Sequence, residues 1–384
     1  MKKTVHLLSG RVAVMSPHMK TIQIINVRWF NATAWYGLYL ARLLREAGHE
    51  TLVITEPDTE ADAKAKEWGF TPLHFDLNSS NPFKLVRAYV QLYKLIKQFT
   101  PDIVNCHRGE GFILWGLLRK SLGSFKLVRT RGDQRLPKNN LPNRWLHTNV
   151  ADAVVATNSV MANHFISKLH VPEHKLSTIL GGVDTEKFVF NHIGRTAFRE
   201  KLGYDESHFV VSMLGRFDEV KGQKELIEAV GKLYNEKGMK QLRLMLLGFE
   251  TATSQDEVES WITANNIGEI TCITGKVPDV TAAISAMDLG VVASKWSETI
   301  ARAAFEIMAC KRPLISTGVG VMPDFMDEEA MFEAGNVDAL ADKLERAAND
   351  DTYLQRIFDL QQKEIAKLSG QHFLEKTLSL YSNL

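Results

Sequence analysis

The sequence predicts an α/β protein built from two Rossmann-like domains in tandem, and three observations carry that expectation. At 384 residues the chain exceeds the length, roughly 250–300 residues, at which a single hydrophobic core stops growing. Short apolar runs rich in Val, Ile and Leu alternate with amphipathic segments, the pattern of a parallel sheet covered by helices on both faces. After the turn-rich stretch LGGVDTEKFVFN at 180–191, the same rhythm begins again.

In the first half the expected strands are TIQIINV (21–27), ETLVIT (50–55), TPLHFDL (71–77), DIVNCH (102–107), KLVRT (126–130) and DAVVATN (152–158). Between them, WYGLYLARLLREAGHE reads as a helix ending at Gly48, and PFKLVRAYVQLYKLIKQF as one stopping before Pro101. The second half offers FVVSMLG (209–215), LRLMLLG (242–248), ITCITG (270–275), DLGVVAS (288–294) and RPLIST (312–317), each followed by a helical stretch such as KELIEAVGKLYNEKG or AISAM. The closing HFLEKTLSLYSNL is an apolar-striped helix that must pack against a surface. No internal repeat or low-complexity tract interrupts the pattern. The opening twenty residues begin like a signal peptide, but Arg11 breaks the apolar run and no small-residue cleavage site follows. Residues 1–18 are therefore expected to be an extension before a natural start at Met19, and the protein to be cytoplasmic.

Composition excludes several classes. No segment approaches the ~20 uninterrupted apolar residues of a membrane span. The three cysteines, Cys106, Cys272 and Cys310, are far apart, odd in number and without metal-ligand spacing, which fits a reducing compartment. The net charge of +1 hides a split: residues 1–190 carry 25 Lys and Arg against 15 Asp and Glu, or +10, while the remainder carries 21 against 30, or −9. A basic half of this kind suits an anionic partner. Neither half has G-x-G-x-x-G after its first strand, and G-x-x-x-x-G-K-[ST], G-x-S-x-G and D-x-D are absent, which argues against a nicotinamide or flavin site, a P-loop, a hydrolase elbow and a metal-dependent sugar-nucleotide site.

Two stretches carry chemistry. In MLGRFDEVKGQKELIEAV (213–230) a buried strand ends in Gly215 and Arg216, and Lys221 precedes a helix, so fixed positive charge stands at a strand end where an anion such as a diphosphate would be held. In SETIARAAFEIMACKRP (297–313), Glu298 and Glu306 would lie about 80° apart around the axis if both were helical, a poor grip on one atom. The helical pattern begins near Ile300, with Ser297 or Thr299 as N-cap, leaving Glu298 in the loop and Glu306 on the second turn. A ligand across this helix N-terminus would place phosphate on free amides and reach each carboxylate with a different hydroxyl-bearing part.

GR at 215–216 with KG at 221–222, the E-x7-E spacing of Glu298 and Glu306, EIMACKRPLIST after it and GGVDTEKF in the linker together resemble the family 4 retaining glycosyltransferases of the GT-B fold, over nearly all of residues 19–384. The resemblance implies an acceptor-binding domain at 1–190, a nucleotide-sugar-binding domain at 191–365 with a cleft between them, and a helix at 366–384 returning to the first domain. By matching position, Arg216 and Lys221 hold the diphosphate and stabilise its departing charge, Glu306 accepts hydrogen bonds from ribose hydroxyls, and Glu298 binds the transferred sugar. Arg216, Lys221 and Glu298 are thus the expected catalytic residues. Gly215, the backbone of Thr299, Ile300, Ala301 and Arg302, and Val277 near the base complete the expected donor site. The resemblance implies neither cofactor nor metal, and no nucleic-acid partner.

The sequence departs from the family pattern in three places. RWFNATAWYG (28–37) replaces a glycine-rich loop and keeps only Gly37. Thr130, Arg131, Gly132 and Asp133 stand where T-x-H-G is common, and ETIA replaces E-G-F-G, with Ala301 for a glycine. Arg131, Asp133 and His107 are the expected acceptor-side residues, although a histidine satisfied within its own loop explains His107 equally well. The basic, aromatic-rich segments NPFKLVRAYVQLYKLIKQF and GFILWGLLRKSLGSFK suit an anionic membrane surface and a lipid-linked acceptor, and VRTRGDQR suits an acidic or phosphorylated sugar. Packing on the sheet accounts for the same apolar residues. Readings other than glycosyl transfer are a sugar-nucleotide epimerase of the same fold and a silent nucleotide-sugar-binding protein.

Overall fold

The computed structural model describes residues 18–109 and 111–384; the expected extension at 1–18 lies outside them except for His18. The first half contains β1 (Lys20–Ile25), α1 (Ala32–Glu46), β2 (Glu50–Thr55), α2 (Glu60–Glu67), β3 (Leu73–His74) and α3 (Pro82–Phe99). It continues with β4 (Ile103–Cys106), α4 (Phe112–Leu122), β5 (Lys126–Arg131), α5 (Leu141–Trp145), β6 (Ala153–Ala156), α6 (Ser159–Ser167) and β7 (Leu176–Thr178). These strands form a seven-stranded sheet in the order β3-β2-β1-β4-β5-β6-β7, every pairing parallel.

The second half contains α7 (His192–Lys201), β8 (Phe209–Leu214), α8 (Gln223–Asn235), β9 (Leu242–Leu247), α9 (Gln255–Ala264), β10 (Thr271–Ile273) and α10 (Val280–Ala286). Then come β11 (Leu289–Val292), α11 (Arg302–Ala309), β12 (Leu314–Thr317), β13 (Met331–Phe332), α12 (Val337–Asn349), α13 (Asp351–Ile365) and α14 (Gly370–Ser382). Its six strands are ordered β10-β9-β8-β11-β12-β13, again all parallel. This is the two-sheet α/β architecture expected. In both sheets the strand order reverses direction beside the first strand, at β1/β4 and at β8/β11, and ligands of such sheets sit beyond the carboxyl ends of the strands at that reversal.

Local sequence explains the main helices. Asn31, Asn81 and Asn158 cap α1, α3 and α6 by accepting hydrogen bonds from first-turn amides, and Pro82 opens α3 where its missing N–H costs nothing. Gly37 lets α1 lie against the sheet, for a Cβ there would stand 2.7 Å from Ile25 Cγ1 and 3.0 Å from His107 Cγ. That contact accounts for the single glycine kept in this segment. The closing helix α14 finds its surface on α1 and the sheet beside it: the Tyr36 and Phe373 rings are 4.6 Å apart, and Asn105 Nδ2 of β4 donates to the Tyr381 hydroxyl at 2.9 Å. Its entry runs beside the linker, where Val183 N donates to Leu368 O and Gly370 N to Val183 O, both at 2.8 Å.

The structure corrects three expectations. Short strands β7 and β13, of three and two residues, carry too little apolar pattern to be read from sequence. Helix α11 begins at Arg302 rather than near Ile300, and neither Ser297 nor Thr299 caps it. The capping position is Ala301, held in the left-handed region at φ 50°, because the residues before it are committed to contacts with the other half of the molecule.

Candidate active site

The two stretches singled out by their chemistry follow β8 and β11, the neighbours flanking the strand-order reversal. At the end of β8, Gly215 N donates to Leu247 O at 3.0 Å and closes the strand. The Arg216 carbonyl is held by Gln223 Nε2 at 2.8 Å, while its guanidinium, half exposed, rests 2.8 Å from Asp218 Oδ2. One turn later Lys221 points inward, and its Nζ lies 2.7 Å from Glu298 Oε2, an oxygen that also accepts from Ser294 Oγ at 2.7 Å.

Glu298 is buried and its loop is braced from behind. Val321 N donates to Glu298 O at 2.8 Å, and Gly320, at φ 65°, passes so close that a Cβ would meet that carbonyl oxygen at 2.0 Å. Glu306 lies on the second turn of α11, also buried, with Arg302 Nε 2.6 Å from its Oε1. Burial pushes the Glu306 carboxyl above its ordinary value, against the opposing pull of Arg302 and Lys187. The two glutamates therefore have different cationic partners, Lys221 for one and Arg302 for the other, and do not form a single carboxylate pair. Between them the first turn of α11 presents amide groups that no carbonyl of the helix can satisfy. Val277, expected near the base, is partly buried against the second core beside Lys276, whose Nζ stands 4.4 Å from the centre of the Phe249 ring.

Residues 299 and 300 cross to the first half. Thr299 O accepts from Thr157 Oγ1 at 3.3 Å and from Asn158 Nδ2 at 3.0 Å. Ile300 is fully buried in a cluster with Trp35, Tyr36, Val128, Ile179 and Phe373. Asp324 accepts from Ser159 N at 2.7 Å and from its hydroxyl, so the N-terminus of α6 is met by a carboxylate from the opposite half. The loop bearing Glu298 is thus positioned partly by the first half of the molecule. Truncating Ile300 to Ala should cost about 2–5 kcal/mol, read as a lower denaturant midpoint. It should also loosen the Glu298 loop, read as faster amide hydrogen exchange there, while far-UV circular dichroism stays unchanged.

The acceptor-side expectations divide. Arg131 and Asp133 form an ion pair at 3.1 Å, and between them a Cβ on Gly132 would lie 3.1 Å from Ile300 Cδ1, so this turn abuts the loop bearing Glu298. His107 does not join them. It is fully buried beneath α1, its Nε2 2.9 Å from Gln23 Oε1, and burial together with Arg129 pulls it down to about 3, so the ring is a neutral part of the core. Ser294, Gly320, Asp324, Thr157, Asn158 and Trp35 were not singled out from sequence. Their roles depend on contacts between segments far apart in the chain, and Gly320 alone, within VGV before a proline, carried a local signal.

Among the described residues no group of three or more His, Cys, Asp or Glu is placed to hold a metal ion, and no helix is long and apolar enough to cross a membrane.

A family model described as Glycosyl transferases group 1 matches residues 194–364, and one described as Glycosyltransferase Family 4 matches residues 33–187. The D-inositol 3-phosphate glycosyltransferase of Corynebacterium jeikeium is 22% identical over 66% of this chain and 62% of its own. The chain thus spans about three fifths of that relative's length, and only 38% of the Segniliparus rotundus protein of the same name. The UDP-Gal:alpha-D-GlcNAc-diphosphoundecaprenol alpha-1,3-galactosyltransferase of Escherichia coli is 24% identical over 70% of this chain and 71% of its own. Among solved structures, a Rickettsia africae glycosyltransferase superposes with a TM-score of 0.85 at 18% identity, covering 96% of this chain and 98% of that one. Anabaena HepE in complex with UDP and glucose superposes with a TM-score of 0.78 at 17% identity, covering 96% and 100%. The chain belongs to the family 4, group 1 glycosyltransferases and has their GT-B fold.

Proposed function

We propose that this protein is a retaining, metal-independent glycosyltransferase that moves a sugar from a nucleoside diphosphate to a saccharide or glycolipid acceptor in cell-envelope polysaccharide or lipopolysaccharide synthesis. The observation that carries the reading is the convergence, at the ends of β8 and β11, of Arg216, Lys221 and the first turn of α11 with two buried carboxylates held by separate cations. Positive charge fixed there meets the charge that develops on the diphosphate as the glycosidic bond breaks, and it costs no reorganisation at that moment. Glu298 binds hydroxyls of the departing sugar, Glu306 those of the ribose, and Val277 lies by the base. Retention and metal independence rest on the family likeness together with these non-metal sources of positive charge. Residues 1–190 take the acceptor, 191–365 the donor, and 366–384 tie the two together. HepE was solved with UDP and glucose, and the Escherichia coli relative is named for a diphosphoundecaprenol-linked acceptor; both support the donor and acceptor classes.

A membrane-bound acceptor also fits the surface. Helix α3 exposes Phe83, Val86, Val90 and Tyr93 beside Lys84, Arg87, Lys94 and Lys97, and neighbouring α4 exposes Ile113 and Leu117. Apolar side chains ringed by cations suit an anionic bilayer at the cytoplasmic face of a membrane. The protein should float with liposomes containing anionic lipid at low salt, and Phe83→Asp should reduce flotation; a wild-type protein that stays in solution would remove the membrane from the proposal.

A panel of nucleotide sugars in a thermal-shift assay tests the donor reading, because a ligand of the native state raises the melting temperature. The active donor should then transfer labelled sugar in the presence of EDTA, with the anomeric configuration kept. A panel without a single shift would overturn the reading.

A further inference from the structure

Arg302 is the first residue of α11, a position where the positive end of the helix dipole disfavours a cation and favours an anion. It is held there by two contacts. Its Nε lies 2.6 Å from Glu306 Oε1, and its Cζ stands 5.4 Å from the centre of the Trp35 ring in the opposite half of the molecule. Trp35 is itself fixed, buried and stacked on Tyr39 at 5.0 Å. Arg302 is less confined, with 39% of its side chain exposed where Glu306 keeps 7%. The carboxylate is the buried member of the pair and the guanidinium the more exposed one.

On the donor reading Glu306 takes ribose hydroxyls, and those donors compete with Arg302 for the same carboxylate oxygens. A guanidinium released from Glu306 remains anchored at the first turn of α11, among the amides that would hold phosphate. We propose that Arg302 is a switching cation: in the free protein it occupies the ribose seat on Glu306, and on donor binding it yields that seat and turns onto the diphosphate, keeping its face toward Trp35. The inference rests on the donor assignment above. It makes Arg302 a specificity-determining residue that penalises ligands able to displace it without offering it a phosphate. A nucleoside pays for breaking the Arg302–Glu306 pair, whereas a nucleoside diphosphate replaces it.

The test compares UDP, titrated by calorimetry, with uridine, titrated by ligand-observed NMR, on the wild type and on Arg302→Gln; if the thermal panel selects another base, its diphosphate and nucleoside are used. Loss of one charged hydrogen-bonding partner should weaken the diphosphate roughly 10–100-fold, while nucleoside affinity should stay the same or rise because the competitor is gone. Arg302→Lys keeps the charge without the planar fork, so its diphosphate loss should be smaller, and it serves also should Arg302→Gln fold poorly. Equal weakening of both ligands would reduce Arg302 to a prop for Glu306 and overturn the switch, as would no weakening of either. A wild type that binds no nucleoside diphosphate would instead remove the donor assignment itself.

Discussion

Replacing Lys221 by Ala should lower kcat about 100–1000-fold, the loss typical of removing one fixed group that stabilises developing negative charge. Two consequences separate this from general damage. In the free protein Lys221 neutralises Glu298, a carboxylate 8% exposed, and the ammonium is 2.7 Å from Glu298 Oε2. Without it Ser294 Oγ alone contacts that oxygen, and a buried charge that has lost its partner costs about 3–5 kcal/mol. The variant should therefore be less stable as well as slow, and the double variant Lys221→Met/Glu298→Gln should regain much of the stability but none of the activity. Steady-state kinetics with urea unfolding on the same samples measures both. Activity near that of the wild type would show that the charge at the leaving group comes from elsewhere.

The second large effect is an instability toward acid set by two histidines of the first half. Burial, assisted by Arg129, pulls both His107 and His147 down to about 3, from an ordinary value near 6.5. Because their folded-state values are lowered, the unfolded chain binds protons that the folded chain refuses as pH falls below 6.5. The stability present above pH 6.5 is lost progressively toward pH 3. Each histidine contributes a slope of up to about 1.4 kcal/mol per pH unit, so the pair should remove about 4 kcal/mol between pH 7 and pH 5. His147→Gln or His107→Gln should flatten that slope by about half whatever it does to stability at pH 7. Chemical denaturation at several pH values reads the slope directly, and an unchanged slope would mean that the histidines titrate normally in the folded state.

Much of this molecule is legible in its sequence because a parallel sheet buried on both faces writes its strands as apolar runs. The eleven strands expected from such runs all occur, most of them shorter than expected, whereas β7 and β13 contribute so few residues that no period forms. The elements that carry the proposed charged groups were legible for a related reason: Arg216 and Lys221 lie between β8 and α8, Glu298 between β11 and α11, and Glu306 on the second turn of α11, where local pattern predicts that placement. What the sequence hides is long-range. The bond between Ser159 and Asp324 joins residues 165 apart, and Thr299 is fixed by residues more than 140 positions earlier. The bonds to Thr299 and the burial of Ile300 against the first half keep residue 300 out of the helix that its local pattern favours, which is why α11 starts late and Ala301 takes a left-handed conformation. The glycine absent from ETIA is thus replaced by an alanine in the conformation that glycine would adopt most easily. His107 stayed ambiguous for the opposite reason, since a histidine at a strand end reads the same whether it faces a cleft or lies under α1.

The most direct measurement of the central claim is calorimetric titration of UDP, or of the nucleoside diphosphate picked out by the thermal panel, into the wild type, Arg216→Ala and Lys221→Ala. If the diphosphate rests between the ends of β8 and β11, the wild type binds with one site per chain and each variant binds roughly tenfold or more weakly. Unchanged affinity in both variants would place the nucleotide elsewhere and contradict the account.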